Sequence, residues 1–204
     1  MRSKQKIIRM VEIALMFALV VVLQVVSAVM PKLGPVSITL TLVPVVVGAI
    51  LFGPRGGATL GFAFGLIVMI NCIVALDPGG SILWNANPFF CALICFAKGI
   101  AAGFVPAVLY SAVRGKKETV GGGRKYVSAL VAALSAPIVN TGLFVVGMLL
   151  LFKDTLYAWA GGTDVAIYVI VGLAGINFLV ELAINVVLSP AIVRIVDVVG
   201  KKNK

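Results

Sequence analysis

Six apolar segments, separated by loops that carry Lys and Arg on alternate sides, constrain this chain more than any other feature. They cover residues 11–30, 37–52, 57–76, 88–113, 126–152 and 165–196. A helix needs about 20 apolar residues to cross a hydrocarbon core of roughly 30 Å. All but the second segment reach that length; the second has 16 residues, so it is expected to tilt little or to thin the bilayer. The pattern predicts an all-α membrane protein, with residues 1–204 forming a single membrane domain.

Basic residues near span ends stay on the cytoplasmic side. Arg2, Lys4, Lys6 and Arg9 precede the first segment, and Arg55 lies between the second and third. Arg114, Lys116, Lys117, Arg124 and Lys125 join the fourth to the fifth, and Arg194, Lys201, Lys202 and Lys204 close the chain. Only Lys32 and Lys153 fall on the other set of loops, with Lys98 inside a span. This asymmetry predicts six transmembrane helices with both termini cytoplasmic, in a multi-pass protein of the inner (cytoplasmic) membrane.

Composition excludes several classes. With 61% hydrophobic residues, 12% charged residues and a mean hydropathy of +1.16, the chain lies far from soluble averages. Its net charge of +10 is accounted for by topology and by attraction to anionic membrane lipid, so no nucleic-acid partner is implied. The first apolar segment follows a basic run but lacks a small-residue cleavage site, and it reads as a retained helix. Cys72, Cys91 and Cys95 have no CxxC spacing, and the chain has no His to complete a metal site. They read as small packing residues, with no metal and no cofactor.

Residues 114–125, with GKKE and the glycines Gly121, Gly122 and Gly123, form a candidate cytoplasmic linker that splits the spans four plus two. Two loops on the opposite side are richer: LDPGGSILWNAN at 76–87 and KDTLYAWAGGTD at 153–164. Their Trp and polar residues fit headgroup anchors. They fit equally a lid over a captured solute.

Gly57, Gly61 and Gly65 recur every four residues, and Gly99 with Gly103 repeats the device, so close helix approach is expected in the third and fourth spans. Ala14 and Ala18 make a similar pair on the first helix, open to internal packing or to docking of another membrane protein. Ser37, Thr39 and Thr41 alternate as in an extended segment, placing the start of the second helix near Leu42 and Pro44.

Charged groups deep in a bilayer cost about 2.5–3.5 kcal/mol even on a lenient scale, so Lys98 and Glu181 should face the bundle interior, and at similar depth they can pair. Asn177, Glu181 and Asn185 form a polar stripe, and Asn71, Asn140 and Thr141 add amide and hydroxyl groups. Interhelical hydrogen bonds explain such groups singly; together they suggest a polar solute site. No catalytic residues are identified: the chain lacks a Walker A loop, an HExxH and a GxSxG, which argues against an enzyme.

The size, the six spans, the AlaLeuMetPheAla run at Ala14 to Ala18 and LVPVVVGAILFGPRGGATLGFAFG at 42–65 resemble the substrate-binding S component of energy-coupling factor (ECF) vitamin transporters. NPFF at 87–90, APIVNTG at 136–142 and INFLVELAINVVLSPAIV at 176–193 extend the resemblance over nearly the whole chain. It implies a non-catalytic subunit that binds a water-soluble vitamin at the outer face. A transmembrane coupling protein, docked on the first-helix alanines Ala14 and Ala18, and two cytoplasmic ATPases would then drive uptake. The first outer loop of that family, which helps cap the pocket, corresponds to residues 32–41.

For cargo, riboflavin members look different: an acidic residue is expected before the second-span Pro, where this chain has Leu42 and Val43, and a Lys in the last span, where it has Glu181. Pantothenate members are more similar, through Asn140-Thr141 and a basic residue in the fourth span, Lys98. The expected substrate contacts are Asn71, Trp84, Asn87, Lys98, Asn140, Asn177 and Glu181, with Trp84 and residues 85–87 closing the mouth. A self-sufficient secondary carrier and a structural membrane protein stand as alternatives.

Overall fold

The computed structural model describes residues 2–29, 40–115 and 122–202, and among these it is helical with no strand. The elements are α1 (Arg2–Val29), α2 (Leu42–Ile73), α3 (Pro78–Ala86), α4 (Pro88–Arg114), α5 (Gly122–Leu151), α6 (Lys153–Ala160) and α7 (Val165–Ile167). A π-helical stretch, Tyr168–Gly175, joins α7 to α8 (Ile176–Lys202). The protein is a membrane-embedded, multi-pass helical bundle; five helices are long and apolar enough to cross a membrane. The loop expected at 32–41 lies outside the described residues up to position 39, as does the linker at 116–121.

Two predicted spans, the second and third, fall within α2, which is broken at Gly53 (φ 75°, ψ −172°). Pro54 bars its predecessor from the helical region, and glycine alone adopts the positive φ without cost. Proline then suits the first position of the next helix. The chain reverses here. Gly57 lies against Ala49, and the Leu60 side chain covers Gly48, so residues 42–52 and 54–73 form an antiparallel hairpin. The first limb starts at Leu42, as the Thr41–Leu42 boundary predicted. Leu42, Val45, Val46, Val47, Ala49 and Phe52 are all buried, which makes this short limb the centre of the bundle, with protein on every side.

The second limb of α2 packs antiparallel on α4 through the predicted glycines. A Cβ on Gly57 would run into the Gly103 carbonyl oxygen, one on Gly61 into that of Gly99, and one on Gly65 into that of Cys95. Backbone meets backbone along three turns, and Phe62 stacks on Phe96 at 5.0 Å beside the seam. On its other side α4 packs against α5, where Gly147 makes room for Ile94. Helix α8 packs on α5 and α2. Helix α1 leans on α2 alone among its larger contacts, pinned where Thr41 Oγ1 donates to Gln24 Oε1 at 2.8 Å and Leu40 N donates to Ser27 Oγ at 3.1 Å.

The two loops at 76–87 and 153–164 are largely helical, as α3 and α6. Pro78 follows Asp77 at the first position of α3, and Asp154 sits in the first turn of α6, favourable toward the helix dipole. Gly161, in the left-handed conformation (φ 58°, ψ 33°), ends α6. Turn formers here begin and stop short helices rather than replace them.

Candidate functional site

Beneath α3 and α6, at the end of the bundle that both occupy, lies a cavity of about 30 Å³. Its walls come from the end of α2 (Val68, Cys72), from α3 (Gly79, Gly80, Leu83), from α4 (Cys91, Ile94, Cys95, Lys98), and from Asp77, Phe144 and Trp159. The Lys98 ammonium lies 5.1 Å from the centroid of the Phe144 ring, a cation–π contact that holds a charge at the cavity wall.

The sequence-predicted contact residues divide into three groups. Lys98 lines this cavity. Asn87 caps α4: its Oδ1 accepts from Phe90 N at 3.1 Å. Trp84 is half-buried and packs on the core, and Asn71 is buried at the end of α2, where its carbonyl accepts from Asp77 N at 3.2 Å. Trp159 of the second loop is the tryptophan in the cavity wall.

Asn140, Asn177 and Glu181 belong to a separate polar seam between α5 and α8, buried together with Asn185 and Ser189. Asn185 Nδ2 donates to the Glu181 carbonyl at 2.8 Å, and Ser189 Oγ to that of Val186 at 2.8 Å, so the helix satisfies these donors itself. The acceptors Asn140 Oδ1 and Asn185 Oδ1 have no protein donor among the described residues. Helix α4 lies on α2 and α5, α8 on α5 and α2, and Glu181 is not in the wall that Lys98 lines. Cavity and seam are linked through α5: Asn140 and Phe144 are four residues apart, one turn along the same face.

A larger hollow, about 500 Å³, opens on the side of the bundle between α5 and the π-helical stretch. Its lining of Ile138, Val145, Val169, Ile170, Phe178 and Leu179 carries Thr141 as its polar side chain, and Ile170 and Leu179 are exposed. Size favours this hollow for a metabolite, yet the chemistry favours the smaller cavity, which brings a cation, a carboxylate and thiols together. An apolar groove on an exposed helical face is what lipid tails fill in a membrane.

One feature escaped the sequence reading: the three cysteines, expected to be small packing residues, converge, with their sulfurs within 4.8 Å of one another. Ala14 and Ala18, left open between internal packing and docking, are both exposed on α1.

The family model for the substrate-specific component of ECF transporters matches residues 8–193. The pantothenic acid transporter PanT of Lactococcus lactis subsp. cremoris (strain MG1363) is similar to this chain, 28% identical over 159 residues that cover 78% of this chain and 77% of that protein.

Proposed function

Because the chain belongs to the substrate-specific components of ECF transporters, we propose that it captures a water-soluble vitamin, pantothenate first, at the outer face of the cytoplasmic membrane for ATP-driven uptake. The family match over nearly the full length carries this reading. The similarity to a pantothenic acid transporter points to the cargo.

In the proposed orientation the protein makes six passes with both termini cytoplasmic. The reversal at Gly53 supports this by turning α2 into two limbs, with Arg55 at the tip, toward the end of α4 that carries Arg114. The α3 and α6 end then faces outward. Ala14 and Ala18, exposed on α1, form the docking stripe for the transmembrane coupling protein, which two cytoplasmic ATPases power.

Pantothenate carries a carboxylate at one end and an amide and hydroxyls along its length. Lys98 takes the carboxylate through a charge-assisted hydrogen bond. Asn140, one turn along α5, offers the buried acceptor that an amide N–H or a hydroxyl completes, and Asn177 and Glu181 continue that wall. Asn71 and Trp84 belong to the rim. Vitamin-sized sites span about 300–1,000 Å³. A cavity of about 30 Å³ therefore has to widen, and α3 and α6, which close it, are the elements that lift.

The test is titration calorimetry of the purified chain with pantothenate and with its neutral alcohol analogue. Lys98→Ala should weaken pantothenate binding about 10- to 100-fold, the worth of a hydrogen bond to a charged group at roughly 1.5–3 kcal/mol. The alcohol should bind the variant and the parent alike. Equal loss for both compounds removes Lys98 from the carboxylate subsite, and no heat with either removes pantothenate as cargo.

A further inference from the structure

The cysteine cluster is the strongest chemical feature that vitamin capture does not use. Cys91 and Cys95 are one turn apart on α4, and Cys72 comes from the end of α2, 19 residues earlier in sequence than Cys91. All three are buried and free, and their sulfurs lie within 4.8 Å of one another. Gly80 of α3 completes the enclosure. Cys91 Sγ approaches the Gly80 carbonyl at 3.9 Å, and a Cβ on Gly80 would run into Cys72 Sγ and come within 3.2 Å of Asp77 Oδ2. Sulfur and carboxylate thus border one small hollow that the missing side chain leaves open.

We propose that Cys72, Cys91, Cys95 and Asp77 form a binding site for a thiophilic divalent cation of the zinc class. Zinc is held by four ligands, with Zn–S near 2.3 Å, which sets the sulfurs of a tetrahedral site about 3.8 Å apart. Bringing the three sulfurs together from separations of no more than 4.8 Å takes at most about 1 Å, within the reach of χ1 rotation, and the Asp77 carboxylate, outside that trio, turns in to complete the set. Three thiolates and one carboxylate supply the full ligand set, and the thiol protons leave as the cation enters. Charge also fits. Three thiolates and one carboxylate around a divalent ion leave two negative charges, and Lys98 in the same wall offsets one of them. The cavity of about 30 Å³ has the size for an ion, and occupancy ties the end of α2 to α4 and to the α3 turn.

The experiment titrates the reduced, metal-free, full-length chain with Cd²⁺ and follows the ultraviolet thiolate-to-cadmium charge-transfer band. The band should saturate at one Cd²⁺ per chain. Losing even an outer-shell partner costs metal sites about 10- to 100-fold in affinity, so Cys95→Ser should cost at least about 100-fold. On the unaltered protein, bound Cd²⁺ should slow maleimide labelling of the thiols, and a chelator should restore it, which keeps the test sound if the variant misfolds. Absence of the band from a chain whose three thiols all label after unfolding overturns the site, as does a band unchanged in a folded Cys72→Ser, Cys95→Ser variant. The titration contains no vitamin, so its failure leaves pantothenate capture standing, and failure of pantothenate binding leaves the metal result readable.

Discussion

The α2–α4 interface and the α5–α8 interface solve the same problem with opposite chemistry. Between α2 and α4 the side chains are removed, and Gly57, Gly61 and Gly65 bring backbone onto the backbone of Gly103, Gly99 and Cys95. In lipid, where apolar contact alone provides no drive for association, such close van der Waals packing is the main source of stability. Between α5 and α8 amides and a carboxylate are buried, with acceptors on Asn140 and Asn185 that no protein donor meets among the described residues. The first interface is finished by the fold itself. The second retains unspent hydrogen-bonding capacity, which is what a binding protein needs and a scaffold does not.

The largest expected effect tests the finished side. Gly61→Leu places a branched side chain where even a Cβ meets the Gly99 carbonyl, so α2 and α4 must separate. Overpacking costs typically about 1–3 kcal/mol and more where neighbours are backbone, which cannot rotate away. Thermal unfolding in detergent should show a loss at or above the top of that range. A variant as stable as the parent would mean that the helices are not in backbone contact.

The next effect probes the unspent side, and its sign is the informative part. Asn140→Leu replaces a buried amide, one acceptor of which lacks a protein donor, by an apolar group of similar size. Relief of that desolvation should raise stability by about 1 kcal/mol. Pantothenate affinity should fall at the same time. Lower stability together with unchanged binding would show that Asn140 serves α5–α8 association and has no part in the site.

Much of the finished side was legible in the sequence, because a period of four glycines has one helical meaning and needs no partner to be recognised. The start of α2 at Leu42 was readable for a similar reason, from the alternation of polar residues that stops there. The hairpin at Gly53 was partly legible: GPRGG marks a break, and the short 37–52 segment read as a mismatch with the bilayer, while residues 42–52 lie largely enclosed by protein. The cysteine cluster was invisible, since no local spacing reports that the end of α2 will lie beside the first turns of α4. Trp84 and Trp159 illustrate the same limit. Both loops carry a tryptophan among turn formers, and only tertiary placement of α6 selects Trp159 for the cavity wall.

The smallest expected effect sharpens the comparison from the other direction. Gly142 lies in α5, two residues beyond Asn140, and a Cβ there would meet nothing within 4 Å. It lines the lateral groove instead of a helix seam. Helix propensity favours alanine over glycine by about 1 kcal/mol in water, a preference that the apolar surroundings of a membrane helix reduce. Gly142→Ala should therefore leave stability within about 0.5 kcal/mol of the parent or slightly above it. Gly61→Ala, the same chemical change on the α2–α4 seam, should be clearly destabilising. Thermal unfolding of the two alanine variants side by side decides the point: a glycine in this bundle matters through what faces it, and equal responses at the two positions would show that the seam has no special closeness to lose.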